Sequence, residues 1–242
     1  MDFRKRDNVS VDCVIFGLDS DGLSILLRNR KLNMFNEKFP IIDDWVVVGG
    51  LVIISKTLGE TADLIFKDIT GLNVFNKIQF HTYGNPSRIK SEKDLLWIRI
   101  HGVKRQTMTI AYYYLQPKES IKLQKNSDFK WFPLRALPEM GFDHKRIIND
   151  AHEDLKRKIM IEPVIFDLMP VKFTLNELQM AFESILEVEL DNRNFRKKVQ
   201  NKAYIVPLNE TKKGLAKKPS KLYVFSRDVY DKVTEKDYII NI

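Results

Sequence analysis

The sequence predicts an α/β protein, more fully an α+β domain followed by a winged helix-turn-helix. β-rich runs alternate with helical patterns through residues 1–160, which we assign to a first domain. Residues 161–242, assigned to a second domain, read as helix, turn, helix and then a β-hairpin. That order of elements is typical of a winged helix.

The strands of the first domain are indicated by runs of β-branched and aromatic residues. Residues 9–16 and 24–30 flank Asp21-Gly22, a pair that favours a hairpin turn. Similar runs predict further strands at residues 44–48, 76–83, 94–101 and 107–115.

Two amphipathic helices accompany these strands. The first follows Thr57 and ends at Gly71, with apolar residues at helical spacing: Leu58, Ala62, Ile65, Phe66 and Ile69. The second begins at Asp143 and carries Ile147, Ala151, Leu155 and Ile159 four residues apart, before Pro163. Lying between the domains, the second helix is a candidate lever between them.

In the second domain, Thr174 and Glu177 form a predicted capping box at the start of a helix. Asp191 is a good N-cap for a second helix over residues 192–200. Two β-rich runs, residues 203–208 and 222–225, flank a basic tip and predict the wing.

Positive charge is concentrated in the second domain. The chain of 242 residues has a formal net charge of +8 and a pI of about 9.3. Residues 192–221 contain ten Lys or Arg against one acidic residue, Glu210. This excess favours an acidic partner, with double-stranded DNA first. A solvated basic helix beside a loop is the alternative interpretation.

The predicted second helix of this domain is the candidate reader of DNA. Its residues Arg193, Arg196, Lys197 and Gln200 share one face, opposite Phe195 and Val199. Arg and Asn there can contact base edges, while Lys on the helix and the wing contacts phosphates. The candidate DNA-binding residues are Thr174, Asn192, Arg193, Asn194, Arg196, Lys197, Lys198, Gln200, Lys217, Lys218 and Lys221.

Other features exclude several classes of protein. Cys13 is the single cysteine, so an internal disulfide and a cysteine metal cluster are excluded, and a reducing cytoplasm is expected. The four histidines show no zinc spacing. We predict no signal peptide, no membrane-spanning segment and no resident cofactor.

Residues 50–72 resemble the signature box of the Nudix hydrolases, G-x5-E-x7-R-E-U-x-E-E-x-G-U, in which U is a bulky apolar residue. Gly50, Phe66, Gly71 and Leu72 fit it without a gap. The charged positions do not fit, since Lys56, Leu64, Ile65 and Ile69 stand there and only Asp68 keeps a carboxylate. Nudix chemistry holds Mg²⁺ on several carboxylates of one helix face. We therefore predict no catalytic residues and no metal site.

A wider resemblance covers about 210 residues. The order of several motifs is similar to that of the Nudix-related transcriptional regulators, of the NrtR type and its sugar-responsive relatives in Bacteroidetes. These motifs are Val11 to Gly17, Trp45 before Gly49-Gly50, Phe142-Asp143-His144, Phe173 to Gln179, Asn194 to Lys198, and Lys218 to Tyr223. The resemblance implies a Nudix-like α/β/α sandwich with a mixed sheet, acting as a sensor. It also implies a homodimer, a palindromic operator and a small effector, either a sugar or ADP-ribose.

Four residues are candidates for effector binding: Asp12, Arg28, Trp45 and Arg88. Asp12 lies in an apolar strand, where its carboxylate must pair with an internal Arg or with a ligand hydroxyl. Trp45 stacks on a sugar or packs in the core, and the Arg residues bind phosphate or lie on the surface. The segment after Tyr83 departs from the family pattern, so the effector of the relatives is not carried over.

Two further functions compete with a regulator. An active pyrophosphohydrolase on ADP-ribose or another nucleoside diphosphate would need Mg²⁺ and other carboxylates of the same helix, namely Glu60, Asp63 and Asp68. A basic interaction module without an effector is the third possibility, and a ligand-induced thermal shift would argue against it.

Overall fold

The computed structural model describes residues 4–73, 75–124, 127–212 and 219–240, and side chains up to residue 235. Its first domain is built on a six-stranded sheet in the order β4-β5-β1-β3-β2-β6. The strands are β1 (Lys5–Asp19), β2 (Gly22–Leu32), β3 (Ile42–Ile53), β4 (Lys77–Tyr83), β5 (Met108–Pro117) and β6 (Phe129–Pro133). Only β1 and β5 pair in parallel, so the sheet is mixed, as predicted.

Helices cover both faces of this sheet. The helix α1 (Leu58–Thr70) packs on one face, where Phe66 stacks on Tyr114 with ring centroids 4.3 Å apart. The helix α3 (His144–Ile161) packs on the other face through Ile147, Ala151 and Leu155. The predicted α/β/α sandwich is therefore confirmed.

The strand predicted at residues 94–101 is wrong, because the segment forms α2 (Glu92–Ile100). The Ser91 side chain accepts a hydrogen bond from the Asp94 amide and starts the helix. Asp94, Leu96 and Ile98 are buried, and the residues between them are less so. The short run from Leu95 to Ile100 is rich in apolar, β-branched and aromatic residues, a composition typical of a strand, which accounts for the error.

The second domain has the predicted winged-helix layout. Two helices, α4 (Leu175–Leu186) and α5 (Asn192–Gln200), are followed by β8 (Ile205–Lys212) and β9 (Ser220–Phe225). A short strand β7 (Phe173–Thr174) pairs with β9 and completes a three-stranded sheet. A further helix, α6 (Arg227–Ile240), was not predicted; its signal is the Ser226 hydroxyl, which accepts from the Val229 amide.

The predicted starts of α4 and α5 are confirmed. Thr174 and Glu177 cap each other at the start of α4. The Asp191 carboxylate accepts from the Asn194 amide at the start of α5. These bonds satisfy backbone N–H groups that have no partner inside the helix.

Two elements of the first domain contact α4. At the β1–β2 turn, the Leu23 amide donates to the Ser184 hydroxyl at 2.7 Å. On α3, His152 Nε2 lies 2.7 Å from the Ile185 carbonyl oxygen, and Lys156 pairs with Glu187 at 2.8 Å. The sheet of the first domain and α3 therefore both hold α4 in place. No helix in the described part of the chain is long and apolar enough to cross a membrane.

Candidate effector cavity and nucleic-acid interface

The segment that resembles the Nudix box keeps its backbone form. Thr57 and Glu60 form a capping box at the start of α1, so the Glu60 carboxylate is bonded to the Thr57 amide at 2.8 Å. Hydrogen bonding of the Glu60 carboxylate to the Thr57 backbone amide, and then to the Thr57 side chain, lowers the pKa of Glu60. Gly71 ends α1 with a φ of 72°, a left-handed conformation that glycine adopts without strain.

The side chains of α1 do not fit a Mg²⁺ ion. Asp63 is bonded to the Lys77 ammonium and to the Tyr114 hydroxyl, while Asp68 is exposed. Ile65 packs against the apolar cluster under the sheet, beside Gly50. No group of three His, Cys, Asp or Glu suited to a metal occurs among the described residues. The side chains of α1 form ion pairs and apolar contacts in place of the cluster of oxygen ligands that a Mg²⁺ site requires.

A cavity of about 180 Å³ lies between the sheet, α2 and the start of α3. Three of the four candidate effector residues, Asp12, Arg28 and Arg88, line it together. Trp45 does not; its ring packs edge-on against Phe132 with centroids 4.6 Å apart. The structure thus brings Trp45 into the core beside α3, the alternative that the sequence left open.

Arg30 also lines the cavity, although its burial was not predicted. It is 1% exposed, donates two hydrogen bonds to Asp44 and a third to Asp94, each at 2.7 Å. Its guanidinium lies over the rings of Phe142 and Trp97. Burial alone would lower the pKa of Arg30, but the two carboxylates outweigh it and the pKa is raised.

Arg88, which lines the cavity, binds the residue before the start of α3. Its guanidinium donates to both carboxylate oxygens of Asp143, with a shortest distance of 2.6 Å. Asp12 Oδ2 lies 3.8 Å from Arg88 Nη2 and 3.8 Å from His144 Nε2. Gly49 permits this arrangement, because a Cβ there would overlap the Asp12 carboxylate.

His144 is held in one tautomer. The Val47 amide donates to its Nδ1 at 2.9 Å, so the proton of the neutral ring is on Nε2. Burial lowers the pKa of His144, opposed in part by Asp12 and Asp143. The result is a neutral N–H donor pointing toward the Asp12 carboxylate.

On the winged helix, the predicted reading face of α5 is open to solvent. Arg193, Arg196, Lys197 and Gln200 are all exposed, while Val199 is buried against the domain. Arg196 donates to the Asn176 side chain at 2.7 Å, which orients it from α4. A cleft of about 280 Å³ between α4, α5 and the wing brings together Thr174, Arg196, Gln200 and Lys221.

The remaining candidate DNA-binding residues lie in different places. Thr174 is 6% exposed, so it holds the capping box more than it offers a surface. Asn192 donates to Gln179 at 3.1 Å, and Asn194 is exposed. Lys198 lines an apolar groove on the other side of α5. Lys217 and Lys218 lie outside the described residues.

Lysines at the base of the wing are already paired. Lys212 donates to Glu177 at 2.6 Å, and Lys172 to Glu210 at 2.6 Å. These two pairs tie β8 to α4 and to the segment before β7. Lys221, on β9, is exposed and available for a phosphate.

Comparison with known proteins agrees with this arrangement. Residues 165–225 match the model of the NrtR DNA-binding winged helix domain. The chain is 26% identical over 229 residues to the ADPR responsive transcriptional repressor NtrR of Acinetobacter baylyi, covering 92% of this chain and 84% of that protein.

Solved structures give the same picture. The NrtR of Shewanella oneidensis in complex with a 27mer DNA is 25% identical, with a TM-score of 0.73 over 92% of this chain and 95% of that one. A MutT/nudix family protein of Enterococcus faecalis, 22% identical, shares the fold with a TM-score of 0.66 over 92% of this chain and 89% of that one. Over nine-tenths of its length the chain is therefore similar to NrtR regulators, with an NrtR-type winged helix at residues 165–225 after a domain of Nudix-like fold.

Proposed function

We propose that the chain is an effector-responsive regulator that binds a palindromic operator as a homodimer in the bacterial cytoplasm. Residues 1–160 form its sensor and residues 161–242 its DNA-binding domain. The effector is a sugar or an ADP-ribose-like molecule, and the sensor binds it without hydrolysing it. The Acinetobacter relative, named as ADPR responsive, supports this class of effector.

The observation that carries DNA binding is the exposed face of α5 beside the wing. Arg193 and Arg196 project from the first two turns of α5, where a helix in the major groove presents side chains to base edges. Val199 and Phe195 hold α5 against α4, since the Phe195 ring meets Phe182 at 5.8 Å. The reading face is therefore fixed by packing rather than by the basic residues themselves.

The proposed lack of catalysis is supported by the chemistry of α1. A diphosphate is cleaved by Nudix enzymes with metal held on carboxylates, and here Glu60 caps α1 while Asp63 is paired with Lys77. Lys56 lies 3.8 Å from Glu60 and neutralises it further. These contacts support a sensor that keeps the Nudix-like fold and does not hydrolyse a diphosphate.

We propose that α3 couples the two sites. Its first residue, His144, lines the cavity, the preceding Asp143 is paired with the cavity residue Arg88, and the middle of α3 contacts α4 through His152 and Lys156. A ligand changes operator affinity only if it prefers one placement of α3 over another. Substitutions along α3 should then uncouple ligand from DNA while leaving each separate affinity intact.

The test is capture of genomic fragments by the full chain at roughly physiological salt, followed by sequencing. The Arg193→Ala/Arg196→Ala variant is compared with Arg146→Ala/Arg157→Ala, which removes the same charge from the exposed side of α3. We expect one palindromic site, lost only in the α5 variant. Salt-sensitive capture without an enriched site would reduce the function to general polyanion binding.

A further inference from the structure

The winged helix carries an apolar groove of about 680 Å³ on the side away from its reading face. The end of α3, α4, α5, the segment before β8 and α6 all line it. We propose that a second copy of the chain docks on this groove, and that each copy inserts Met160 and Ile161 into the groove of the other. This inference rests on the proposed function, because it names the interface of the proposed homodimer.

The groove has the size and composition of an interface core. About 20 described residues line it, close to the roughly 20–30 on each side of an interface of standard size. Most of them are apolar or aromatic, and the rings of Phe182, Phe195 and Tyr204 are only partly buried there. Aromatic residues and Met are enriched at protein interfaces, so the groove suits a protein surface.

An exposed apolar ridge lies at the edge of the groove. We define it as Met160 and Ile161, in the last turn of α3, which are 67% and 73% exposed although they line the groove. A contiguous apolar patch of this kind marks an interaction site. Because ridge and groove lie on one surface, two copies related by a two-fold axis can place each ridge in the groove of the other.

The charges around the groove also match those of a second copy. Lys198 and Lys202 line it, are exposed and form no ion pair within the described part of the chain. On α6, which lines the groove through Val233, Asp231 and Glu235 are exposed and likewise have no ion pair among the described residues. A two-fold axis can place the lysines of one copy opposite the carboxylates of the other, which favours this partner over an uncharged one.

Docking on this side leaves the DNA-binding surface free. Phe195 and Val199 line the groove, whereas Arg193 and Arg196, on the opposite face of α5, do not. Each copy of the dimer therefore presents one reading helix, as a palindromic operator requires.

The helix α6 gives the groove a wall that the matched domain lacks. It covers Arg227–Ile240 and so lies beyond residues 165–225, which match the NrtR-type winged helix. Its residues Tyr230, Val233 and Thr234 line the groove. The proposed interface thus depends on a segment that follows the DNA-binding motif.

The experiment is sedimentation velocity of the full chain over a dilution series, with Ile161→Glu compared with Val171→Glu. Both side chains are exposed, at 73% and 85%, but only Ile161 lines the groove. We expect the wild type to be a dimer at about 10 µM and Ile161→Glu to raise the dimer dissociation constant by about tenfold or more, because a carboxylate would be buried without a partner. Val171→Glu should leave this constant unchanged.

A charge exchange tests how the two copies are placed. Lys198→Glu/Lys202→Glu should weaken the dimer, because carboxylates then face carboxylates. Adding Asp231→Lys/Glu235→Lys to the same chain should restore it, since each chain of a two-fold dimer carries both halves of the exchange. All four positions are exposed, so the far-UV circular dichroism of the variants should match the wild type.

Three results would overturn the inference. A wild type that stays monomeric up to about 100 µM would leave the groove to residues 236–242 of the same chain or to another protein. Ile161→Glu with the dimer affinity of the wild type would place the interface elsewhere. A charge exchange that does not restore the dimer would contradict the pairing of α5 with α6 across the two-fold axis.

The regulator proposal is judged separately, by capture of a genomic operator. A chain that captures one palindromic site but dimerises equally well with Ile161→Glu would contradict only the interface. If the interface is correct, Ile161→Glu should bind the captured operator more weakly than Val171→Glu does, while both keep the same salt-dependent affinity for unrelated DNA.

Discussion

The α1 segment and the surroundings of the cavity use carboxylates in different ways. On α1 the acidic side chains serve folding: Glu60 caps the helix and Asp63 is paired with Lys77. At the cavity, Arg30 is paired with Asp44 and Asp94, and Arg88 with Asp143, while the Asp12 carboxylate lies 3.8 Å from Arg88 Nη2. The comparison teaches that a domain can keep the backbone form of the Nudix-like α1 segment while its buried charged residues are gathered elsewhere, at the cavity.

The largest expected effect breaks the buried network of the cavity. Arg30→Met leaves Asp44 and Asp94 buried without their cation, which should lower the free energy of unfolding by about 3–5 kcal/mol. The control is Lys93→Met, which removes a partly exposed pair with Glu139 and should cost less than about 1 kcal/mol. Urea unfolding measures both, and equal losses would show that Arg30 is not the anchor of this region.

Acidification tests the two buried histidines of α3, His144 at the cavity and His152 beside α4. The helix α1 has no histidine and should not contribute to this pH dependence. Burial lowers the pKa of both His144 and His152, so the unfolded chain binds more protons than the folded one below the ordinary histidine pKa of about 6.5. Stability should therefore fall as pH drops below about 6.5, by at most about 1.4 kcal/mol per pH unit for each histidine.

Thermal unfolding between pH 7.5 and 5.5 measures this slope. In His144→Asn the side-chain oxygen can still accept from the Val47 amide, while the titrating group is gone. The slope should become shallower in this variant. A wild-type melting temperature that does not fall across this range would contradict neutral, buried histidines.

A smaller effect separates the two contacts between the sensor and α4. Ser184→Ala removes the acceptor of the Leu23 amide at the β1–β2 turn and should cost about 1–2 kcal/mol. If α3 alone carries the signal, the effector should change operator affinity by the same factor in this variant. Loss of the effector response, measured by fluorescence anisotropy with a labelled operator, would assign the coupling to the β1–β2 turn.

The smallest effect compares two capping boxes of the same composition. Thr57→Ala at α1 and Thr174→Ala at α4 should each lower stability by about 1 kcal/mol. Only Thr174→Ala should also weaken operator binding, because α4 positions Arg196 through Asn176. Equal operator affinities for the two variants would show that the cap of α4 has no part in the DNA interface.

Local patterns in the sequence predict most of this fold. Periodicity predicts α1 and α3, and the predicted side-chain caps Thr174 and Asp191 start α4 and α5 where their chemistry indicates. The helix α2 was mistaken for a strand because its short run of apolar, β-branched and aromatic residues has the composition of a strand. In that case tertiary contacts, such as the Asp94 carboxylate on Arg30, set which positions are buried.

The site was less predictable because it is assembled from distant segments. Asp12, Arg28 and Arg88 were chosen from the sequence and do line one cavity. Nothing local distinguishes buried Arg30 from exposed Arg28 two residues earlier on the same strand. The role of His144 depends on the Val47 amide 97 residues away, a contact that only the sheet topology creates.

One measurement tests most directly whether the Nudix-like domain senses rather than cleaves. A labelled operator is titrated with the full chain, with and without ADP-ribose and Mg²⁺, and the nucleotide is recovered by chromatography afterwards. We predict a several-fold change in operator affinity with ADP-ribose recovered intact. Release of AMP at ordinary turnover, with operator affinity unchanged, would contradict the account.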